Sequence, residues 1–176
     1  MLLFGCGMGG DLSEMHEQAV VLGDDDRLRA ILREVCSVTG MGFSAVAKVT
    51  ESHWVACQVL DKSEFGLNPG EELKISEAIC SEIRESGEAV VFDDASNDIK
   101  WSRHPVPVIY GFKSYCSFPV YLADGSFFGT LCAIDPTRRS VSDEAIVEMF
   151  AGFARQVGEI LSERSALRGS EPDATE

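Results

Sequence analysis

Positive charge is scarce in this sequence: 15 lysines and arginines stand against 29 aspartates and glutamates over 176 residues, a formal net charge of -14. Such a field repels phosphate backbones and anionic lipid, and no basic cluster offsets it locally, which argues against nucleic acid as a partner. Long apolar runs are missing too. The longest falls well short of the roughly 20 residues that cross a bilayer, and residues 1–10 place no basic stretch ahead of their short apolar run. The chain is therefore expected to be soluble and cytoplasmic, with no membrane partner.

Histidine is rarer still. His16, His53 and His104 fall in three separate segments, so a metal centre or catalytic triad would have to be assembled by folding alone. No G-x-S-x-G, H-E-x-x-H, P-loop lysine or kinase signature occurs, which leaves enzymatic activity without support from motifs. Cys6, Cys36, Cys57, Cys80, Cys116 and Cys132 are scattered, with no C-x-x-C, and point to reduced thiols in a reducing compartment. Gly5, Gly7 and Gly10 satisfy G-x-G-x-x-G, but no β-α-β unit with a ribose-binding acid follows, so a dinucleotide site is not expected.

What is present suffices for one domain. Apolar residues make up 45% of the chain, and a chain of this length buries roughly two-thirds of its unfolded surface. We divide it into an extension over residues 1–23, partly helical or disordered, a domain over 24–168 and a flexible acidic tail over 169–176. Leu28, Ile31, Leu32, Val35 and Cys36 recur at helical steps between Asp24 and a stop at Gly40. Two strands follow, Phe43 to Thr50 and His53 to Leu60, and then a polar loop from Asp61 to Glu72. A helix is expected from about Ser76 to Ser86, ended by Gly87, and a short strand from Ala89 to Phe92.

The strongest local signal is a hairpin of Ser114 to Leu122 with Ser126 to Ile134 across Ala123-Asp124-Gly125, where Asp-Gly supplies the positive φ of a tight turn. Its register sets Cys116 near Ala133, with Cys132 pointing to the opposite face. The last helix begins after a Ser142 cap and carries Ile146, Phe150, Phe153, Val157, Ile160 and Leu167 at alternating four and three residue steps, interrupted by Arg164. That stripe fits either a partner helix or the domain's own core. The order of elements describes an α+β domain, one antiparallel sheet with helices packed on it.

The segment from Asp93 to Pro107 is long and irregular, and connections of that length within a compact domain usually serve binding. It holds Trp101 and His104, with Tyr110 just beyond, which together supply aromatic walls and hydrogen-bonding tips for a small molecule.

Phe128-Gly129-Thr130-Leu131-Cys132-Ala133-Ile134-Asp135-Pro136, preceded by Phe118-Pro119-Val120 and Asp124-Gly125, resembles the C-terminal hairpin of GAF domains, especially those of bacterial sensor histidine kinases and nucleotide cyclases. Asp93-Asp94, Trp101, His104-Pro105, the run Tyr110 to Tyr115, and Phe153-Ala154-Arg155-Gln156-Val157 extend the resemblance, which covers about Asp24 to Glu163. It implies a central antiparallel sheet of five or six strands, with the N- and C-terminal helices on one side. It also implies a cavity under the segment Asp93 to Phe112, with Asp93, Asp94, Trp101, His104, Tyr110, Phe112, Tyr115 and Cys116 as ligand-binding candidates.

The resemblance further implies a homodimer through the terminal helices, at Phe150, Phe153, Val157 and Ile160, and a fused or separate kinase or cyclase effector. The function expected is a sensory, non-enzymatic module for an unidentified small molecule, its cofactor unknown. The alternatives are a bilin photoreceptor and a thiol-dependent free methionine sulfoxide reductase. Ser102-Arg103 stands where phytochrome-like domains carry their chromophore-bearing Cys-His pair, which disfavours covalent bilin attachment.

Overall fold

The structure, a computed structural model, describes residues 8–74 and 79–169. The expected helix at Ser76 therefore lies partly outside the described residues, as do the Gly5–Gly7 stretch and most of the acidic tail. Helix α1 spans Met8–Gly23 and α2 Asp26–Thr39. Asp25 separates them because its carboxylate accepts from the Arg27 N–H at 2.8 Å, capping α2 and turning the chain. Gly40, at φ 72°, ends α2 by donating its N–H to the Cys36 carbonyl.

Strands β1 (Phe43–Val49) and β2 (His53–Asp61) form the first hairpin, and β3 (Glu72–Lys74) adds to the free edge of β2. β3 lies at the end of a segment expected to be loop, since three residues are too few to show an alternating pattern. Helix α3 (Cys80–Ser86) and strand β4 (Val90–Phe92) follow. The expected irregular stretch holds two single 3-10 turns, Ala95–Asn97 and Trp101–Arg103, and a short helix α4 (Pro105–Tyr110).

β5 (Ser114–Tyr121) and β6 (Phe127–Asp135) form the second hairpin, and α5 (Glu144–Gly169) completes the chain. Asp143, rather than the expected Ser142, caps α5 by accepting from the Ala145 N–H at 2.9 Å. Ser142 is engaged elsewhere, as described below.

The strands form one six-stranded antiparallel sheet in the order β3-β2-β1-β6-β5-β4. Cys116 pairs with Ala133, so Cys116 and Cys132 face opposite sides. One face, with Val46, Val55, Cys116, Phe118, Val120 and Leu131, is covered by α1, α2 and α5. Gly129 permits β6 to lie against β1, because a Cβ there would come within 1.8 Å of the Ala47 carbonyl oxygen.

The apolar stripe of α5 belongs to this same core. Phe150 stacks on Phe118 with ring centroids 5.1 Å apart, and Phe150, Val157 and Ile160 are 1%, 0% and 8% exposed. Phe153 is half-buried against the same cluster. Of the four side chains expected at a dimer interface, Phe150, Val157 and Ile160 are thus covered by the sheet of their own domain, and Phe153 is partly covered by it. Arg164 breaks the stripe for a specific reason, since its guanidinium donates to the Asp25 carboxylate at 3.2 Å and to the Val21 carbonyl at 2.8 Å, tying α5 to the α1–α2 junction. Among the described residues no helix is long and apolar enough to cross a membrane.

Candidate functional site

The sheet's other face is built from alternate residues of the same strands. Phe43, Ala45 and Ala47 of β1, Trp54 and Ala56 of β2, and Cys132 of β6 form one cluster, which Cys80 of α3 joins. Beside it Phe92, Trp101, Phe112 and Tyr115 make an aromatic stack: Trp101 lies 5.2 Å from Phe92, Phe92 lies 5.3 Å from Tyr115, and Tyr115 lies 5.6 Å from Phe112.

The segment between β4 and β5 is fastened over this face by its own polar groups. His104 caps α4 by accepting the Val106 N–H on Nδ1 at 3.3 Å, and its ring lies 5.2 Å from that of Trp101. Lys100 pairs with Glu82 of α3 at 3.1 Å and sits 4.4 Å from the centroid of the Trp101 ring.

Between sheet and cover lies a cavity of about 120 Å³. Phe43, Trp54, Cys132 and Ile134 form its floor, Val106, Tyr110 and Phe112 its cover, and Phe65 and Leu67 reach it from the β2–β3 loop. One polar centre lies in its wall. The Cys80 sulfur receives the Trp54 indole N–H at 3.3 Å and has the Thr130 and Tyr115 hydroxyls at 3.3 and 3.5 Å. Burial raises the Tyr115 hydroxyl well above its ordinary pKa, with the neighbouring Cys80 adding to the effect, so Tyr115 stays a neutral donor. Burial likewise raises the Cys132 thiol.

The eight expected site residues divide by this geometry. Tyr110, Phe112 and Tyr115 line the cavity. Trp101 and His104 stand behind them in the cover. Asp94 caps the Ala95–Asn97 turn by accepting from the Ser96 N–H. Cys116 is fully buried on the helix-covered face, with its pKa raised by desolvation, so its side chain is separated from the cavity by the sheet. This corrects its assignment to the site and follows from the two-residue alternation that sets it against Tyr115.

Asp93 is also redirected. Its carboxylate accepts from the backbone N–H groups of Val141 and Ser142, at 2.8 and 2.9 Å, and from the Ser142 hydroxyl at 2.8 Å. Burial would raise this carboxyl, but those bonds outweigh it and hold the pKa below the usual aspartate value. Asp93, which directly follows Phe92 of the aromatic stack, thus ties that stack to the segment that enters α5. Cavity residues that sequence reasoning missed include Phe43, Trp54, Phe65, Leu67 and Cys80. The one available signal was the pair Phe65 and Leu67, two large apolar residues in an otherwise polar loop.

At the far edge of the sheet, Glu72 accepts from His16 at 2.9 Å and also pairs with His53. Burial would raise its pKa, but the two histidines outweigh that and lower it. Among the described residues no group of three or more histidines, cysteines or carboxylates is arranged to hold a metal.

Comparison with known proteins agrees with this architecture. The family profile described as GAF domain matches residues 25–161. The diguanylate cyclase DgcP of Escherichia coli (strain K12) is 42% identical over 48 residues, which cover 26% of this chain and only 14% of the cyclase. The GAF domain of the Acinetobacter phosphoenolpyruvate-protein phosphotransferase superposes with a TM-score of 0.64 at 16% identity, covering 94% of this chain and 99% of that one. The blue-light absorbing form of the Thermosynechococcus elongatus PixJ GAF domain gives 0.62 at 10% identity, over 94% and 95% of the two chains. The type II free methionine-R-sulfoxide reductase of Thermoplasma acidophilum gives 0.60 at 12% identity, over 85% and 96%. At such identities the structural likeness concerns the fold alone, and one fold here carries a photoreceptor and a reductase. With the profile matched along most of its length, the chain belongs to the GAF domain family.

Proposed function

We propose that this domain is the sensory module of a bacterial signalling system, and that it reports occupancy of its cavity through α5 to a kinase or cyclase effector. The observation that carries this reading is the path through Asp93. A guest pressing on Tyr115 or Phe112 displaces the stack that contains Phe92, and the next residue in the chain holds the backbone of Val141 and Ser142 at the entrance to α5. A guest that prefers one arrangement of the cover therefore shifts the population of arrangements at the start of the helix. Tyr110, Phe112 and Tyr115 contact the guest in this reading, and Trp101 and His104 position them.

The reductase alternative needs accessible, neighbouring thiols at Cys80 and Cys116, which are 4% and 0% exposed and lie on opposite faces of the sheet. The photoreceptor alternative needs a far larger space than about 120 Å³. Xenon, which enters small apolar cavities without chemical selectivity, provides the test. Under xenon pressure the NMR resonances of Phe112 and Tyr115 should shift together with the amides of residues 141–147. In Asp93→Asn the cavity shifts should persist and those at 141–147 should shrink. Cavity shifts with an unmoved α5 in the unaltered protein would overturn the reading.

A further inference from the structure

The cavity's chemistry narrows what it admits. Its walls are aromatic, aliphatic and thiol side chains, and no charged side chain lines it among the described residues. A phosphate or carboxylate drawn into this space would leave water without a cation to meet it, a loss far larger than apolar contact returns. Its volume of about 120 Å³ is near that of an engineered protein cavity of about 150 Å³ that takes up benzene. Phe43 and Phe65 meet edge to face at 5.5 Å and 79°, and Phe112 and Tyr115 stack on each other at 5.6 Å and 23°, so the lining is largely built of aromatic rings, which suit a flat apolar guest.

The polar centre in the wall sets the remaining requirement. The Tyr115 hydroxyl makes a long, 3.5 Å contact to the Cys80 sulfur, a weak acceptor that already takes the Trp54 N–H, and has the Ser117 hydroxyl as a second neighbour on its own strand. An oxygen on the guest is a better acceptor than that sulfur and competes for the same proton. We infer that the cavity takes a small uncharged aromatic molecule of one ring with a single hydroxyl or carbonyl oxygen, the ring held between Phe43, Phe65 and Phe112 and the oxygen met by Tyr115. This rests on the sensory reading and specifies its ligand class.

Phenol, toluene and benzoate test it by NMR titration of the whole chain at pH 7, where benzoate is ionised. Phenol should shift the resonances of Phe112, Tyr115 and Cys132 and bind at least about tenfold tighter than benzoate. Tyr115→Phe, which keeps the ring, should weaken phenol about fivefold and leave toluene unchanged. Leu67→Trp, on the loop at the cavity's edge, should abolish both. Should Leu67→Trp fail to fold, the shape-preserving Tyr115→Phe still decides the polar contact.

Benzoate binding as tightly as phenol at these residues would overturn the ligand class and leave the sensory reading standing. Xenon entering the cavity while phenol does not would have the same effect. Phenol binding that survives in a folded Leu67→Trp would overturn the assignment to this cavity. If neither xenon nor phenol disturbs Phe112 and Tyr115, both readings fall.

Discussion

Asp93 satisfies two backbone donors and one hydroxyl with a single carboxylate, and these lie 48 and 49 positions downstream. Asp93→Ala leaves those N–H groups without their acceptor and should cost about 1–2 kcal/mol, read as a lower urea midpoint with an unchanged slope. A midpoint within error of the unaltered protein would show that solvent replaces the carboxylate fully. The sequence marked Asp93 as notable but could not give its role, because the segment whose backbone it holds, Val141 and Ser142 ahead of α5, is distant in sequence. Cys80 is a similar case: its neighbours in the chain say nothing of Trp54, Tyr115 and Thr130, which only the closed sheet brings to its sulfur.

At the scale of elements, periodic patterns could be read from the sequence and their choice of partner could not. α2, both hairpins and α5 fall within a few residues of their expected limits because each repeats its apolar pattern over several turns or strand pairs. The stripe on α5 was compatible with a second helix or with the sheet, since a heptad specifies a face and not what covers it. With Phe118 stacked on Phe150, truncation empties a space inside the domain. Phe150→Ala should therefore destabilise by about 3–5 kcal/mol and leave the sedimentation coefficient of the folded fraction unchanged. Loss of a dimer with undiminished stability would place Phe150 at an interface between copies instead. Gly158 adds an independent sign that α5 is seated on the sheet, since a Cβ there would lie 2.2 Å from the Tyr121 carbonyl oxygen.

For the molecule as a whole, several carboxylates join distant parts of the chain and are held below their ordinary pKa. Asp25, bonded first to Arg27 and also to Arg164, is lowered to about 2. Asp93 and Asp135 are lowered as well: burial opposes this in both, and hydrogen bonds, to Asp135 from Thr137 and Gly42, outweigh it. A carboxyl whose folded pKa lies below its unfolded value of about 3.9 stabilises the fold above that value and ceases to do so as pH falls through the folded pKa. The melting temperature should thus fall steeply between about pH 4 and pH 2, and Asp25→Asn should flatten the lower part of that decline. A profile indifferent to Asp25→Asn would mean that its ties to Arg27 and Arg164 contribute nothing to the fold.

Each strand of the central sheet speaks to two audiences. Tyr115 and Cys132 look toward the hollow, and their chain neighbours Cys116, Leu131 and Ala133 look toward the helices. Inheritance can therefore rewrite the odd letters of such a strand without disturbing the even ones. The lining of the hollow is free to change while the helix-covered core behind the partition is left as it was.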